Sequence, residues 1–421
     1  SMQCQNFNED WTFEKANQAD RLKAFYGNSN AVAVTLPHDA MIREKRDKDC
    51  PSGAQSGFYP GGVYTYEKKF MAQNEWKTQD VFLEFEGIYG IARVWINGAL
   101  AAVNRNGYMG FSVDLKPWIS YENENIIRID VDNSKQPNSR WYSGSGIYRD
   151  VNLWTGKDVY ISHDKLRITT LSVNDDMAVI EVCAQLKNII GHGLEAECLI
   201  EIKKDGQKTA SDTQRVVFRS EQMQTVRVQI PIEHPKKWSP KQPALYECHI
   251  TTKFDDKICD EAVSNFGIRV LELDPVHGLQ INGETVKLRG TCIHHDNGVI
   301  GAETFKEAEW YRCKRLKEAG FNAIRSAHHP MSRAMLDACD HIGMLVMDEL
   351  TDMWDKEKNT YDFSDIFEDE YNQWINHMVE KDYNHPSVII YSVGNEIQEA
   401  GTKQGAWINR MLCNKFHELD N

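Results

Sequence analysis

Four short segments in the last third of the 421-residue sequence gather side chains that can do chemistry: His294, His295 and Asp296; Arg325, His328 and His329; Asp348 and Glu349; Asn395 and Glu396. Histidines can ligate zinc and activate water. Here, however, His294-His295 and His328-His329 are adjacent pairs, and neighbours on a strand point to opposite faces, so each pair offers one ligand rather than two. Metal-dependent hydrolysis is disfavoured, and no metal is assigned. The alternative is carboxylate work at an acetal. Cleavage of a glycosidic bond with retention needs one carboxyl that protonates the leaving oxygen, and a second that attacks the anomeric carbon from about 5–5.5 Å away. Glu396 suits the donor role. Asn395 beside it can hydrogen-bond the hydroxyl next to the reacting carbon, and Gly394 allows the tight turn that presents both.

These groups need a scaffold that brings four distant segments to one place. After Pro275, strands begin to alternate with amphipathic helices, the pattern of an α/β fold. Asn282-Gly283 closes a last hairpin, and a first strand is expected near Lys287-Leu288-Arg289. Thr304 and Glu307 form a capping box for a helix with Trp310, Cys313 and Leu316 at three-residue steps, stopped by Gly320. The strand Phe321–Arg325 follows. Ser332 opens the next helix, with Met335, Cys339 and Ile342 on one stripe, and Gly343 ends it before Leu345–Glu349. A third helix is expected near Phe367 to Tyr383, then a strand Val388–Ser392 after Pro386, then a last helix. Each chemical group follows the C-terminal end of a strand, the rim on which a parallel α/β barrel carries its active site. Residues 274–421 are too few for the roughly 250 of a complete barrel, so the first half of a (β/α)8 barrel is expected. A doubly wound open sheet would fit the length, but no glycine-rich phosphate loop follows the first strand.

Upstream the sequence is all β. Val63–Tyr66, Val81–Phe85 and Ile126–Ile129 read as strands, and Asn97-Gly98 as a type I′ hairpin turn. A sandwich is expected over residues 1–157. Further strands from Val159 to Leu273, with a turn at Asp205-Gly206, suggest a smaller immunoglobulin-like sandwich over 158–273. The barrel segment takes 274–421.

Composition narrows the partners. A net charge of -14 without a Lys/Arg cluster argues against nucleic acid. No apolar run approaches the roughly 18 residues of a membrane span. Eleven tryptophans supply flat apolar faces of the kind that stack on sugar rings. The ten cysteines include no Cys-x-x-Cys pair, so free buried thiols are expected rather than a zinc knuckle or disulfides. Ser1 ahead of Met2 reads as a cloning residue. That leaves no room for a signal peptide and points to the cytoplasm, or to the periplasm had a signal been removed.

The segment Asn384-His385-Pro386-Ser387-Val388-Ile389 running into Ser392-Val393-Gly394-Asn395-Glu396 resembles the acid/base signature of glycoside hydrolase family two, the β-galactosidases, β-glucuronidases and β-mannosidases. Arg140–Arg149 is similar to that family's first-domain signature, and Asn322–Pro330 to its second barrel strand. The resemblance covers the whole chain and implies a jelly-roll sandwich, an immunoglobulin-like domain and then a (β/α)8 barrel. It implies that Glu396 is the general acid/base and that Asn395 binds the 2-hydroxyl. Arg325 would orient the catalytic carboxylates, and His294 and His328 would contact the sugar. Asp348 and Glu349 match an acidic dipeptide at strand three, or equally support Arg325 by an ion pair.

The family's nucleophilic glutamate lies on the seventh strand, beyond this chain, which is therefore expected to be part of a longer protein and inactive alone. The magnesium site of the large β-galactosidases is not carried over, since Thr351-Asp352-Met353-Trp354 replaces its Glu-x-His. No cofactor is expected, with a divalent or sodium ion left open. The family's galactose-contacting aspartate has no clear counterpart near Pro137–Arg140. The implied activity is that of a retaining exo-β-glycosidase acting on β-linked glycosides, closest to compact bacterial β-galactosidases, and the resemblance also suggests a homo-oligomer. A β-glucuronidase, or a non-catalytic carbohydrate-binding protein, is the alternative.

Overall fold

The computed structural model describes residues 3–16, 31–40, 62–134 except 106 and 108, 146–274, 276, 278–293, 306–326, 331–349, 377 and 380–392. For 273, 274, 292, 293, 326, 348, 349 and 390–392 it describes the backbone alone.

The first sandwich is built from β1 (Gln3–Asn6), β2 (Trp11–Ala16), β3 (Val32–Val34), β4 (Val63–Phe70), β5 (Asp80–Phe85), β6 (Ile88–Tyr89), β7 (Ile91–Ile96), β8 (Ala99–Asn104), β9 (Phe111–Asp114), β10 (Asn125–Asp132), β11 (Gly146–Ile147) and β12 (Val151–Gly156). A six-stranded sheet in the order β3-β2-β4-β10-β7-β8 faces a four-stranded one in the order β1-β12-β5-β9. The period of two sets the core. In β10 the side chains of Asn125, Ile127, Ile129 and Val131 are buried, while Ile126 and Arg128, which alternate with them, are exposed. Trp11, Tyr64, Tyr66 and Phe85 are completely enclosed, each contributing about 1.5–3 kcal/mol or more by leaving water. The expected turn is present, with Asn97 at φ 51° and Gly98 at φ 85°, the two positive values that a type I′ turn requires.

The second domain holds seven strands: β13 (Val159–Val173), β14 (Met177–Asn188), β15 (Leu194–Lys204), β16 (Gln207–Phe218), β17 (Met223–Glu233), β18 (Tyr246–Phe254) and β19 (Lys257–Phe266). They pack as a three-stranded sheet, β13-β14-β17, against a four-stranded one, β16-β15-β18-β19, the immunoglobulin-like arrangement. Asp205-Gly206 makes the expected turn, and Asp255-Asp256, at φ 53° and 58°, makes another that lacks the usual glycine.

The third part opens with an antiparallel hairpin sheet of β20 (Leu271–Asp274), β21 (Gly278–Ile281) and β22 (Glu284–Thr285). Four parallel strands follow in sequence order: β23 (Gly290–Ile293), β24 (Ala323–Ser326), β25 (Leu345–Glu349) and β26 (Val388–Ser392). Helix α1 (Lys306–Glu318) joins β23 to β24, and α2 (Arg333–Ile342) joins β24 to β25. This is the jelly-roll, immunoglobulin-like and partial-barrel order. One expectation is corrected: the first parallel strand is Gly290–Ile293, not Lys287–Arg289. Asn322 is the reason. Its side chain accepts from the Arg289 amide at 2.7 Å and donates to the Lys287 carbonyl at 2.9 Å, so a side chain takes these backbone groups, while the Arg289 carbonyl meets the Asn322 amide at 3.0 Å where the ladder starts.

Ser332 caps α2 by accepting from the Met335 amide, and Gly343 ends it at φ 91°, both as expected. The capping residue expected for α1, Thr304, lies outside the described residues. The two faces of the parallel sheet are covered differently. Ile324, Val346 and Val388 pack under Cys313, Met335, Leu336 and Cys339 of the helices. Ala323, Leu345 and Ile389 pack instead with Trp238, Ile281 and Leu279, so the second domain and the hairpin cover part of the face that helices leave open. The described cysteines are free thiols and mostly buried, but Cys4 is exposed.

Gly343 also meets the second domain, since a Cβ there would come within 2.3 Å of the Pro240 carbonyl oxygen. At Gly98, with nothing within 4 Å, an added Cβ meets only the backbone conformation. Gly98→Ala is expected to cost about 1–2 kcal/mol, the left-handed penalty. Gly343→Ala should cost distinctly more, because it adds the displacement of Pro240. Chemical denaturation of both variants checks the difference.

Candidate active site

Of the expected site residues, Arg325 is the one whose side chain is described. It lies on β24 between Cys292 of β23 and Met347 of β25 in register. Ile324 faces the helices and Ala323 faces Trp238, so alternation puts Arg325 on the Ala323 side, one step nearer the C-terminal rim. The backbones of Asp348 and Glu349 pair with Tyr391 and Ser392 at that rim; their side chains lie outside the described residues. So do His294, His328, Asn395 and Glu396. In sequence, His294 follows directly on β23, His328 comes two residues after β24, and Glu396 four after β26.

The front of the segment that resembles an acid/base signature is described, and its polar side chains are occupied in holding β26. Asn384 accepts from the Ile168 amide at 2.9 Å and donates to the Leu166 carbonyl at 2.8 Å, which docks the segment on the second domain. The Asp340 carboxylate of α2 takes His385 Nδ1 at 2.5 Å, and its other oxygen accepts from Ser387 Oγ at 2.6 Å and from the Ser387 amide at 3.1 Å. Arg269 donates to the Pro386 and Val388 carbonyls, both at 2.7 Å. Trp238 Nε1 donates to the Asp340 carbonyl at 2.9 Å. Burial alone would lower the His385 pKa. The Asp340 charge and hydrogen bond, with Asp337 and Asp382 nearby, raise it instead.

A second cluster joins all three domains at Arg333, the first residue of α2. Its Nη1 and Nη2 bind the two carboxylate oxygens of Asp164 at 2.9 and 2.5 Å. Nη2 also reaches Glu84 at 3.2 Å, and Nε reaches Glu86 at 3.2 Å. Glu84 further accepts from Trp154 Nε1 and lies 2.7 Å from His163 Nε2, whose ring stacks on Trp154 at 4.0 Å. Sequence reasoning missed this cluster, although a signal was present. A cation opens a helix that has no acidic residue in its first turn, against the helix dipole, and so calls for carboxylates from elsewhere.

Burial pushes the Glu84 and Asp164 carboxyls up, but Arg333 and the hydrogen bonds outweigh it, and both are held below the usual range. For Glu86, burial dominates, Arg333 opposes it and Glu84 and Asp150 add to it, so its pKa rises to about 7. Beside it, a cavity of about 190 Å³ is lined by Glu84, Glu86, Arg149, Arg333 and His377 among others. Burial lowers the His377 pKa to about 4.

Among the described residues, two groups have metal-ligand atoms within 4.8 Å of one another: Glu84, His163 and Asp164, and Asp337, Asp340 and His385. In the first, Arg333 takes both carboxylates. In the second, His385 and Ser387 occupy both oxygens of Asp340. The donors of each set already serve a protein partner.

Comparison with known families accounts for this architecture. The description "Glycosyl hydrolase 2 galactose-binding domain-like" matches residues 11–156, "Glycosyl hydrolases family 2" matches 159–269, and "Glycosyl hydrolases family 2, TIM barrel domain" matches 275–421. The chain belongs to glycosyl hydrolase family 2. Within this family it is 33% identical over 405 residues to the β-galactosidase BoGH2A of Bacteroides ovatus, covering 94% of this chain and 46% of that protein. It is 27% identical over 418 residues to a β-glucuronidase of Bacteroides fragilis, covering 96% of this chain and 58% of that one. A crystal structure of a family 2 member from Bacteroides cellulosilyticus superimposes with a TM-score of 0.94 at 33% identity, over 99% of this chain and 55% of that chain. The chain thus spans about half the length of the family 2 proteins it matches.

Two measurements follow. Asp340→Ala takes from half-buried His385 its nearest counter-charge, leaving Asp337 at 3.8 Å, and should cost about 3 kcal/mol in equilibrium unfolding. Ser387→Ala, which removes one hydrogen bond, should cost about 1 kcal/mol. Glu86 has a folded pKa above its unfolded one, so its contribution is fullest below the ordinary carboxyl value of 4.5 and is lost as pH rises through about 7. Glu86→Gln should therefore flatten the fall in stability between pH 5 and about 8, read from melting temperature against pH.

Proposed function

We propose that this chain is the front portion of a retaining exo-β-glycosidase, a β-galactosidase in the first instance. In this reading Glu396 protonates the leaving oxygen and then serves as base toward water, while Asn395 binds the 2-hydroxyl. Arg325 orients the carboxylates, and His294 and His328 contact the sugar. Asp348 and Glu349 support Arg325. The nucleophile comes from the part of the barrel beyond Asn421. The observation that carries the proposal is the parallel register of β23 to β26, which sets the four strands side by side in sequence order, so that the chain leaves each toward one rim. Family membership and the 33% identity to a β-galactosidase support the substrate class. No resident cofactor enters the mechanism, and the partner is a β-linked glycoside.

A second reading, β-glucuronidase, is favoured by the 27% identity to the Bacteroides fragilis enzyme over nearly the whole chain. The two differ in whether the pocket must neutralise a substrate carboxylate.

Both are decided by assaying the full-length gene product on aryl β-galactoside, β-glucuronide and β-mannoside. Turnover of the galactoside is expected, reduced by about 10²–10⁴-fold in Glu396→Gln. Residues 1–421 alone should turn over negligibly, since proton donation without a nucleophile forms no glycosyl intermediate. Galactose binding with no turnover by the full-length product would instead indicate a carbohydrate-binding protein.

A further inference from the structure

We propose that Arg333 is a positioning residue for the reaction, through which the first two domains fix the β24–α2–β25 unit of the barrel and with it Arg325; the inference rests on the glycosidase reading above. The guanidinium is used in every direction. Nε goes to Glu86 of the first domain, Nη1 to Asp164 of the second, and Nη2 to Asp164 and Glu84. A planar fork is needed to reach three carboxyl groups on two domains, and a lysine ammonium carries the charge without that geometry.

The acceptors are themselves fixed. Asp164 sits at φ 59° inside the irregularity that interrupts the β13–β14 register between Ile161 and Leu166. A non-glycine residue in the left-handed region is strained and persists where its surroundings hold it, here by a two-pronged bond to Arg333. Glu84 lies on β5 and is braced by Trp154, Asn152 and His163.

On the other side of the cation, α2 is rigidly joined to the sheet. Met335, Leu336 and Cys339 pack on Ile324 and Val346, the neighbours of Arg325 and Met347. Where the first turn of α2 sits therefore decides where β24 sits relative to the two sandwiches. Nearby, Lys165 of the second domain pairs with Glu380, a single partly exposed contact without a fork. None of this requires Arg333 to touch substrate.

The test uses full-length protein carrying Arg333→Lys, with Asp164→Asn as a second variant should the first fail to fold. At a temperature where circular dichroism shows the variant fully folded, kcat on the aryl glycoside cleaved by the wild type is expected to fall at least tenfold, with KM within about twofold. Hydrogen exchange should quicken in the first turn of α2 and stay unchanged near Cys339. A purely structural salt bridge would lower the melting temperature and leave kcat of the folded protein unaltered, which overturns the proposal. Should the wild type cleave no glycoside, the catalytic reading fails separately, and hydrogen exchange alone decides: unchanged protection in the first turn of α2 overturns the positioning role.

Discussion

Among the described residues the helices cover one face of the parallel sheet, and what packs on the other face governs how the domains are joined. The second domain supplies part of that packing. Trp238 sits fully buried against Leu345, Ala323 and Ile389 and donates to the Asp340 carbonyl, so one side chain covers part of that face and grips the helix behind the sheet. The Asp340 side chain then reaches His385 and Ser387 at the entry to β26. From Trp238 to the fourth strand the contacts form one continuous chain, with Arg269 supporting the same strand by two carbonyl hydrogen bonds.

The segment that resembles an acid/base signature is thereby split by function. Its polar residues divide into two groups with different work. Asn384, His385 and Ser387 hold the strand in place by bonds to the second domain and α2. The residues after Ser392 are the ones whose types suit chemistry. A buried histidine between acidic groups would ordinarily suggest proton transfer, but His385 has its ring nitrogen committed to Asp340, and its raised pKa is that of a structural ion pair.

Charge is distributed at the junctions in the same spirit. Asp80, between the first two domains, takes Lys187, Lys116 and Tyr160. Glu84, Glu86 and Asp164 take Arg333. A net charge of -14 leaves acidic groups in excess, and in each cluster the cation comes at least in part from a different domain than the acid. Buried ion pairs add little to stability relative to apolar packing, because desolvation offsets the attraction. They are strict about geometry, which suits junctions that must be reproduced accurately.

Features that depend on a few neighbouring residues were legible in the sequence alone. The turns at Asn97-Gly98, Asp205-Gly206 and Asn282-Gly283 follow from the positive φ that asparagine, aspartate and glycine tolerate. The cap at Ser332 and the stop at Gly343 follow from unpaired groups at helix ends. The order of two sandwiches and a parallel α/β segment followed from the change in hydrophobic period. The Asp255-Asp256 turn escaped notice because it lacks glycine. The first barrel strand was placed three residues early, since nothing local in Lys287–Arg289 reveals that Asn322 would claim its backbone. Only the tertiary structure decided that Arg333 would face Glu84 and Asp164, which lie 249 and 169 residues away, or that Asp340 would bind His385. Such pairs satisfy groups that burial would otherwise leave charged and alone, and which group answers which is fixed by how three domains pack, a property that no short stretch of sequence carries.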